Sequence, residues 1–276
     1  MARVRAFVFT GGGALGATQA GMLQALFAHG LQPDVLVGTS VGALNAAYIS
    51  SNPSIAGAEA LAGVWRRASR SLIFPVRPRV LLLGVAGRRD HLIEADGLER
   101  WITGNLACRR FDQARVPVHV VATDLASGNP VVLSEGELLP ALLASTALPG
   151  IFPPVRHHGR LLVDGGTSAD VPVLQAEQLG ATDIWVLPTS GPERDAEEPK
   201  GAFEVLLRSI GIVLGHVTRD HLAQLDPETA VHVLPAPAVG DLSILDFRRT
   251  EELVREGRRL ADEYLHAWSS APRPPG

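Results

Sequence analysis

The run Gly38-Thr39-Ser40-Val41-Gly42 constrains this chain more than any other stretch. Apolar Val35-Leu36-Val37 leads into it, and the small-residue segment Ala43-Leu44-Asn45-Ala46-Ala47-Tyr48-Ile49 leads out. That order spells strand, sharp turn, helix, with a serine on the turn. A serine on such an elbow is held in strained backbone, and glycines two residues either side (Gly38 and Gly42) let strand and helix pass closely. Its hydroxyl is presented at the carboxyl end of the strand, where open α/β sheets keep their sites. The helix amino terminus beneath it favours negative charge. Taken alone, the same letters also describe a glycine-rich turn with a helix-capping serine, so the reading needs companions elsewhere in the chain.

Composition sets the frame for them. The 276 residues suit one large domain or two small ones, and 46% apolar residues supply a substantial core. With a net charge of −4 and no long basic block, the chain is not expected to bind nucleic acid. The one cysteine, Cys108, excludes an internal disulfide framework and favours a reducing compartment, so a cytoplasmic protein is expected. With no second cysteine to join it in a metal cluster, Cys108 reads as a small apolar filler. The first ten residues lack the apolar core of a signal peptide, and no apolar run of about 18 residues exists to span a bilayer.

Apolar patterning alternates between the two periods. Strands are predicted at 6–9, 35–37, 118–123, 161–163, 184–187 and 231–234, with 130–133 as a hairpin partner across the Ser127-Gly128-Asn129 turn. Helices are predicted up to His29 (with Met22, Leu23, Leu26 and Phe27 on one face), at 41–50, around 58–65, 98–106, 138–147, 172–179, 203–225 and 248–268. The alternation breaks at about 66–110, which reads as an insertion. There Leu72, Ile73, Phe74, Val76, 80–83 and Val85 are interleaved with Pro75, Pro78 and Gly84. Arg66, Arg67, Arg70, Arg77, Arg79, Arg88 and Arg89 surround them. Gly191 to Gly201 reads as a surface loop or partly disordered link, and 269–276 as a frayed tail. The expected fold is α/β: a three-layer α/β/α sandwich around a mostly parallel sheet, formed by a single domain over 4–268.

Two further segments carry chemistry. Gly11-Gly12-Gly13-Ala14-Leu15-Gly16 joins the first strand to its helix. Consecutive glycines there can turn several amides toward one anion, either a phosphate or the oxyanion of an acyl intermediate. A dinucleotide site would also want an acid at the end of the second strand, but that strand ends at Gly38-Thr39-Ser40, with Asp34 at its other end. Asp164 follows Leu161-Leu162-Val163 and precedes Gly165-Gly166, so its carboxylate also sits at a strand's carboxyl end. Read alone, it is equally a turn aspartate. A serine nucleophile needs a base. His216, His221 or His232 would complete the order serine, acid, histidine of another α/β esterase, although only one strand precedes this elbow. A non-enzymatic lipid- or nucleotide-binding module is the remaining alternative.

Together these segments resemble the patatin-like phospholipase family. The glycine loop with Gln19-Ala20-Gly21-Met22-Leu23 is similar to its opening, and Gly38 to Ala46 to its nucleophile block. Ala144-Ser145-Thr146-Ala147-Leu148-Pro149-Gly150-Ile151-Phe152-Pro153-Pro154-Val155 resembles the block before its aspartate, and Leu162-Val163-Asp164-Gly165-Gly166 that aspartate's own. The resemblance runs from about Phe7 to Leu187. It implies Ser40 as nucleophile, Asp164 as its partner in a Ser–Asp dyad, and oxyanion-hole amides from Gly11, Gly12 and Gly13. The implied reaction is hydrolysis of a lipid acyl ester through an acyl-enzyme, of phospholipase A or lysophospholipase type, without metal or organic cofactor. Two positions depart from the pattern. Leu15 stands where many members carry a basic residue, and Asp170 where many carry asparagine. In this light the arginine-rich insertion has two readings: a peripheral membrane contact, with apolar residues toward acyl chains and arginines toward phosphate or an anionic bilayer surface, or packed core with snorkelling arginines on its rim.

Overall fold

The computed structural model describes residues 3–191, 201–238 and 245–270. In chain order the elements are β1 (Arg5–Phe9), α1 (Ala17–Ala28), β2 (Val35–Thr39), α2 (Val41–Ser50), α3 (Ile55–Arg67), α4 (Arg70–Ile73), α5 (Pro78–Val85) and α6 (Asp96–Asn105). There follow β3 (Val118–Asp124), β4 (Pro130–Leu133), α7 (Leu138–Ser145), β5 (Val155–His157), β6 (Arg160–Asp164), α8 (Gly166–Ala169) and α9 (Val173–Gln178). The chain then passes through β7 (Asp183–Leu187), α10 (Ala202–Ala223), β8 (Ala230–Val233) and α11 (Thr250–Ser270). The strands form one sheet in the order β5–β6–β3–β2–β1–β7–β8, with β4 added to β3. β1, β2, β3, β7 and β8 run parallel, while β4, β5 and β6 join by antiparallel pairings.

Strand alternation assigns the two faces. Phe7, Phe9, Leu36, Val120, Trp185 and Leu187 point toward α1, α2, α3, α7 and α11 in one core. Ala6, Val8, Val37, Val121, Ile184 and Val186 point the other way, onto Ala169, Val173 and Ala176 of α8 and α9. Successive residues of a strand face opposite sides, so the central strands must carry continuous apolar runs, as they do at 6–9, 35–37 and 184–187. The chain therefore builds a three-layer α/β/α sandwich around a mixed, mainly parallel sheet.

Several sequence expectations change. α1 is not buried on one face but along every residue from Ala17 to Phe27, because it lies between the sheet and α11. The two helices meet at glycines. A methyl group on Gly21 would fall 2.0 Å from the Val254 carbonyl oxygen, and one on Gly257 would fall 2.4 Å from that of Thr18. β5 was not foreseen; it forms a hairpin with β6 through His158 and Gly159, both at positive φ. Within the irregular arginine-rich stretch lie two short helices, α4 and α5. α11 continues through Ser270, so Ser269 and Ser270 are helical rather than tail, whereas 271–276 lie outside the described residues. So do 192–200 of the expected loop. Among the described residues, no helix is long and apolar enough to cross a membrane.

Candidate active site

The elbow forms as its glycines demand. Ser40 has φ 54 and ψ −124, a positive φ that a non-glycine residue rarely adopts. It is tolerated because the backbone either side is clamped at closest approach. A methyl on Gly38 would sit 2.6 Å from the carbonyl carbon of Gly42, and one on Gly42 would sit 2.5 Å from the carbonyl oxygen of Phe9. α2 is thus pressed against both β1 and β2, and Ser40 is thrust clear at the sheet's carboxyl edge.

β3 brings the second group to it. β4 pairs with β3 from Val120 to Thr123 and so occupies one edge there. β2 and β6 must share the opposite edge. Thr39 is opposite Val121, and Asp164 is opposite Ala122. β2 runs parallel to β3 and β6 antiparallel, so the two strands run toward each other and stop on consecutive rungs. Ser40 and Asp164, separated by 124 positions, meet there: Ser40 Oγ donates a 2.7 Å hydrogen bond to Asp164 Oδ2.

The remaining bonds fix both groups. Asp164 Oδ1 accepts from the Gly166 amide at 2.8 Å, and Thr123 Oγ1 donates to the Asp164 carbonyl at 2.9 Å. The Ser40 amide donates to Ser145 Oγ at 2.9 Å, whose own hydroxyl donates to the Val121 carbonyl at 2.6 Å. Thr39 Oγ1 donates to the Ala169 carbonyl at 2.7 Å. A methyl on Gly165 would fall 2.1 Å from the Val121 carbonyl oxygen, so only glycine lets the Asp164 turn hug β3.

The glycine loop lies alongside. Gly12 and Gly13 adopt φ 142 and 58, conformations that favour glycine. The Gly11 amide is already engaged, donating at 3.4 Å to the Asp170 carbonyl. Among the described residues, the Gly12 and Gly13 amides donate to no protein acceptor. A methyl built on Gly11 would lie 2.5 Å from Asp170 Oδ1 and 3.6 Å from Ser40 Cβ, which puts this loop between the second aspartate and the serine. Behind it, Gln19 donates to the Thr10 and Leu187 carbonyls, and Asn45 donates to the Gly16 carbonyl and to Gln19 Oε1. Trp65 Nε1 donates to Asn45 Oδ1 at 2.9 Å. Gln19 and Asn45 are fully buried. This network ties the loop to α2, since buried polar groups of this kind are stable only when satisfied.

Electrostatics at the pair are unusual. Burial raises the Asp164 carboxyl to about 7, against the hydrogen bonds from Ser40 and Gly166, and the neighbouring Asp170 charge adds to the rise. Burial also raises Asp170 to about 6, opposed by the Gly11 amide. A carboxylate titrating near neutrality is a far better proton acceptor than an ordinary aspartate near 3.9.

The structure brings together Ser40, Asp164 and the Gly11–Gly13 loop, with Gly38 and Gly42 as the hinges of the elbow. It does not add a histidine. His232 stacks on Trp185 with ring centroids 4.3 Å apart and lies 3.5 Å from Asp183. His216 hydrogen-bonds Arg219 on α10. Among the described residues, the hydroxyl of Ser40 bonds Asp164 directly, and none of His216, His221 and His232 bonds to it. Leu15 is buried in the core, so no charge replaces the basic residue expected there. A separate open cleft at the amino end of β3 is lined by Arg110, His119, Ser134 and His158. β3 carries the chain away from it toward the dyad. Sequence reasoning had not singled out Ser145, Gln19 and Asn45 as site supports. The available signal was a polar residue inside an otherwise small and apolar helical run.

The model of the patatin-like phospholipase family matches residues 7–177. Lysophospholipase NTE1 of Eremothecium gossypii is 24% identical over 98% of this chain and 19% of its own length. An uncharacterized NTE family protein of Mycobacterium tuberculosis is 31% identical over 72% of this chain and 53% of its own. This chain therefore spans about a fifth of the first relative and about half of the second. Among solved structures, VipD from Legionella pneumophila superposes with a TM-score of 0.50 at 14% identity, covering 96% of this chain and 67% of that one. That last likeness bears on the fold alone.

Proposed function

The chain belongs to the patatin-like phospholipase family, and from that premise we propose that it is a serine hydrolase of lipid acyl esters in which Ser40 and Asp164 form the catalytic dyad. The observation that carries this reading is the 2.7 Å bond from Ser40 Oγ to Asp164 Oδ2 on a strained elbow beside unengaged glycine amides. As the hydroxyl oxygen attacks the ester carbonyl, its proton passes to Asp164 Oδ2. The carbonyl oxygen becomes an oxyanion, for which the Gly12 and Gly13 amides are the proposed donors. Gly11 lends the loop its shape while its own amide stays on Asp170. Collapse of the intermediate breaks the ester bond. Asp164 returns the proton to the departing alcohol, leaving Ser40 acylated. Water then repeats the sequence, its proton passing to Asp164 and then to Ser40 Oγ as the fatty acid leaves.

A buried, direct dyad asks its fold to raise the base and to stabilise the oxyanion strongly, and the shifted Asp164 and the glycine loop answer those two needs. The relatives named lysophospholipase favour a phospholipid or lysophospholipid as substrate, met at a membrane surface by a peripheral protein. No step requires a metal or organic cofactor. The test is labelling with a fluorophosphonate, followed by turnover of a panel of phospholipids, lysophospholipids and short p-nitrophenyl esters. Wild type is expected to be modified at Ser40 and to hydrolyse the panel selectively. Ser40→Ala should do neither, and turnover by Ser40→Ala would overturn the assignment.

A further inference from the structure

α5 is built inside out. Its inner seam is Val80 and Gly84, and Gly84 lies so close to the next segment that a methyl group there would fall 2.4 Å from the His91 carbonyl oxygen. Three of its larger aliphatic side chains face solvent instead, Leu82 69% exposed, Val85 74% and Leu81 37%, while Leu83 is half-buried. Leu72 and Val76, just before it, are also exposed. An ordinary surface helix turns its large apolar residues inward, and a contiguous exposed apolar patch marks a surface that something covers.

The charge around the patch says what covers it. Residues 60–89 hold seven arginines and no acidic residue, in a chain whose net charge is −4. Arg66, Arg77 and Arg89 are tied to Glu251, Asp96 and Glu94. Arg70, Arg79 and Arg88 are exposed and have no acidic partner among the described residues. A symmetric pairing of this patch with that of a second copy would bring like charge against like charge. Exposed aliphatics ringed by unpaired arginines fit a surface with phosphate above and acyl chains below.

The segments flanking the patch are tied to the strip that precedes Asp164. The Leu92 amide donates to the Gly150 carbonyl at 3.1 Å and that of Ile93 to Ile151 at 2.9 Å, while Phe74 stacks on Phe152 with centroids 5.1 Å apart. The same 147–152 strip accepts the Asp164 amide on the Ala147 carbonyl at 2.9 Å. We propose that the outer face of α5, flanked by Arg79 and Arg88, docks this protein on an anionic lipid bilayer. The inference rests on the lipid-ester reading and names the surface on which that substrate is met.

The experiment uses the whole chain carrying Ser40→Ala, so that docking is read without lipid turnover. It is sedimented with vesicles of phosphatidylcholine alone and with vesicles containing phosphatidylglycerol as well. Binding is expected to be at least about tenfold tighter to the anionic vesicles and to weaken with added salt. Adding Arg79→Glu with Arg88→Glu should lower it about tenfold or more, and adding Leu82→Asp with Val85→Asp should abolish it. With Ser40 restored, both double variants should cleave a short soluble p-nitrophenyl ester as wild type does, which also reports that they fold. Equal binding to the two vesicle types, or anionic binding unchanged by both double variants, overturns the proposal. Vesicle binding that follows this pattern in a protein inert toward every ester would instead refute the hydrolase reading and leave the docking surface standing.

Discussion

Ser40 and Asp164 touch directly, hydroxyl to carboxylate at 2.7 Å, because the strands that carry them end on neighbouring rungs of the same edge of β3. The contact leaves no room for an imidazole between them. In the proposed dyad everything asked of a base therefore falls on a carboxyl group that is a weak one in water. Burial, which raises it to about 7, makes the arrangement chemically workable.

Replacing Asp164 by Asn keeps the shape of the site and removes the proton acceptor. Turnover should fall by roughly 10²–10⁴, with KM changed far less, as read by steady-state kinetics on a soluble ester. The stability sign follows from linkage. A carboxyl whose folded pKa is raised contributes stability below its ordinary value and loses it as pH rises through about 7. Asp164→Asn should therefore melt at the same temperature as wild type or higher at pH 8. Activity within tenfold of wild type would remove Asp164 from its proposed role.

The groups facing the Asp164 carboxyl are the Ser40 hydroxyl, the Gly166 amide and the Asp170 carboxyl. If ionised Asp164 is the base, kcat/KM should climb with pH and level off above about 7. Asp170→Asn removes a nearby negative charge that resists this ionisation, so the rising limb should move to lower pH. A pH profile of ester hydrolysis checks it, and a limb that stays in place would mean that the two carboxyls are not coupled.

Gly42 has no space for a side chain, since its added methyl would lie 2.5 Å from the Phe9 carbonyl oxygen, which is backbone and cannot step aside. Gly42→Ala should cost roughly 3 kcal/mol and lower Tm by roughly 6–12 °C. The same shift should loosen the elbow and slow fluorophosphonate labelling of Ser40. Differential scanning fluorimetry with a labelling time course measures both.

Asp183 anchors the opposite end of the sheet. Burial works to raise its carboxyl, but the neighbouring His232 ring and the Arg3 and Arg5 guanidiniums prevail and hold it well below the usual carboxylate range. Asp183→Asn removes the buried charge that the partly exposed Arg3 and Arg5 side chains meet and should cost about 1.5–3 kcal/mol in denaturant unfolding. The stability that Asp183 provides is present above the ordinary aspartate value near 3.9 and is lost as pH falls through its depressed pKa. The gap between variant and wild type should therefore narrow in acid. Labelling of Ser40 in the folded protein should not change, because Asp183 starts β7 and the dyad lies at the sheet's other end.

The sequence alone determined the elements whose causes are local. Strand–elbow–helix around Ser40, the Asp164 turn and the alternation of strands with helices were all legible, because glycine placement and hydrophobic period act over a few residues. The same was true of the motifs behind the family resemblance. Features set by distant neighbours were not legible. Periodicity reports that Met22, Leu23, Leu26 and Phe27 form a face, yet only α11 packing across Gly21 buries the rest of α1. Leucines in α5 read equally as core or as lipid-facing until the fold leaves Leu81 and Leu82 outside, since Val80 and Gly84 take the inner seam. Ser145 became a support for the Ser40 amide only when α7 was laid against β3. Above all, the meeting of Ser40 with Asp164 belongs to the tertiary structure. Pairing register along β3 is a choice among alternatives that no short stretch encodes, and one rung more or less would have parted the two groups.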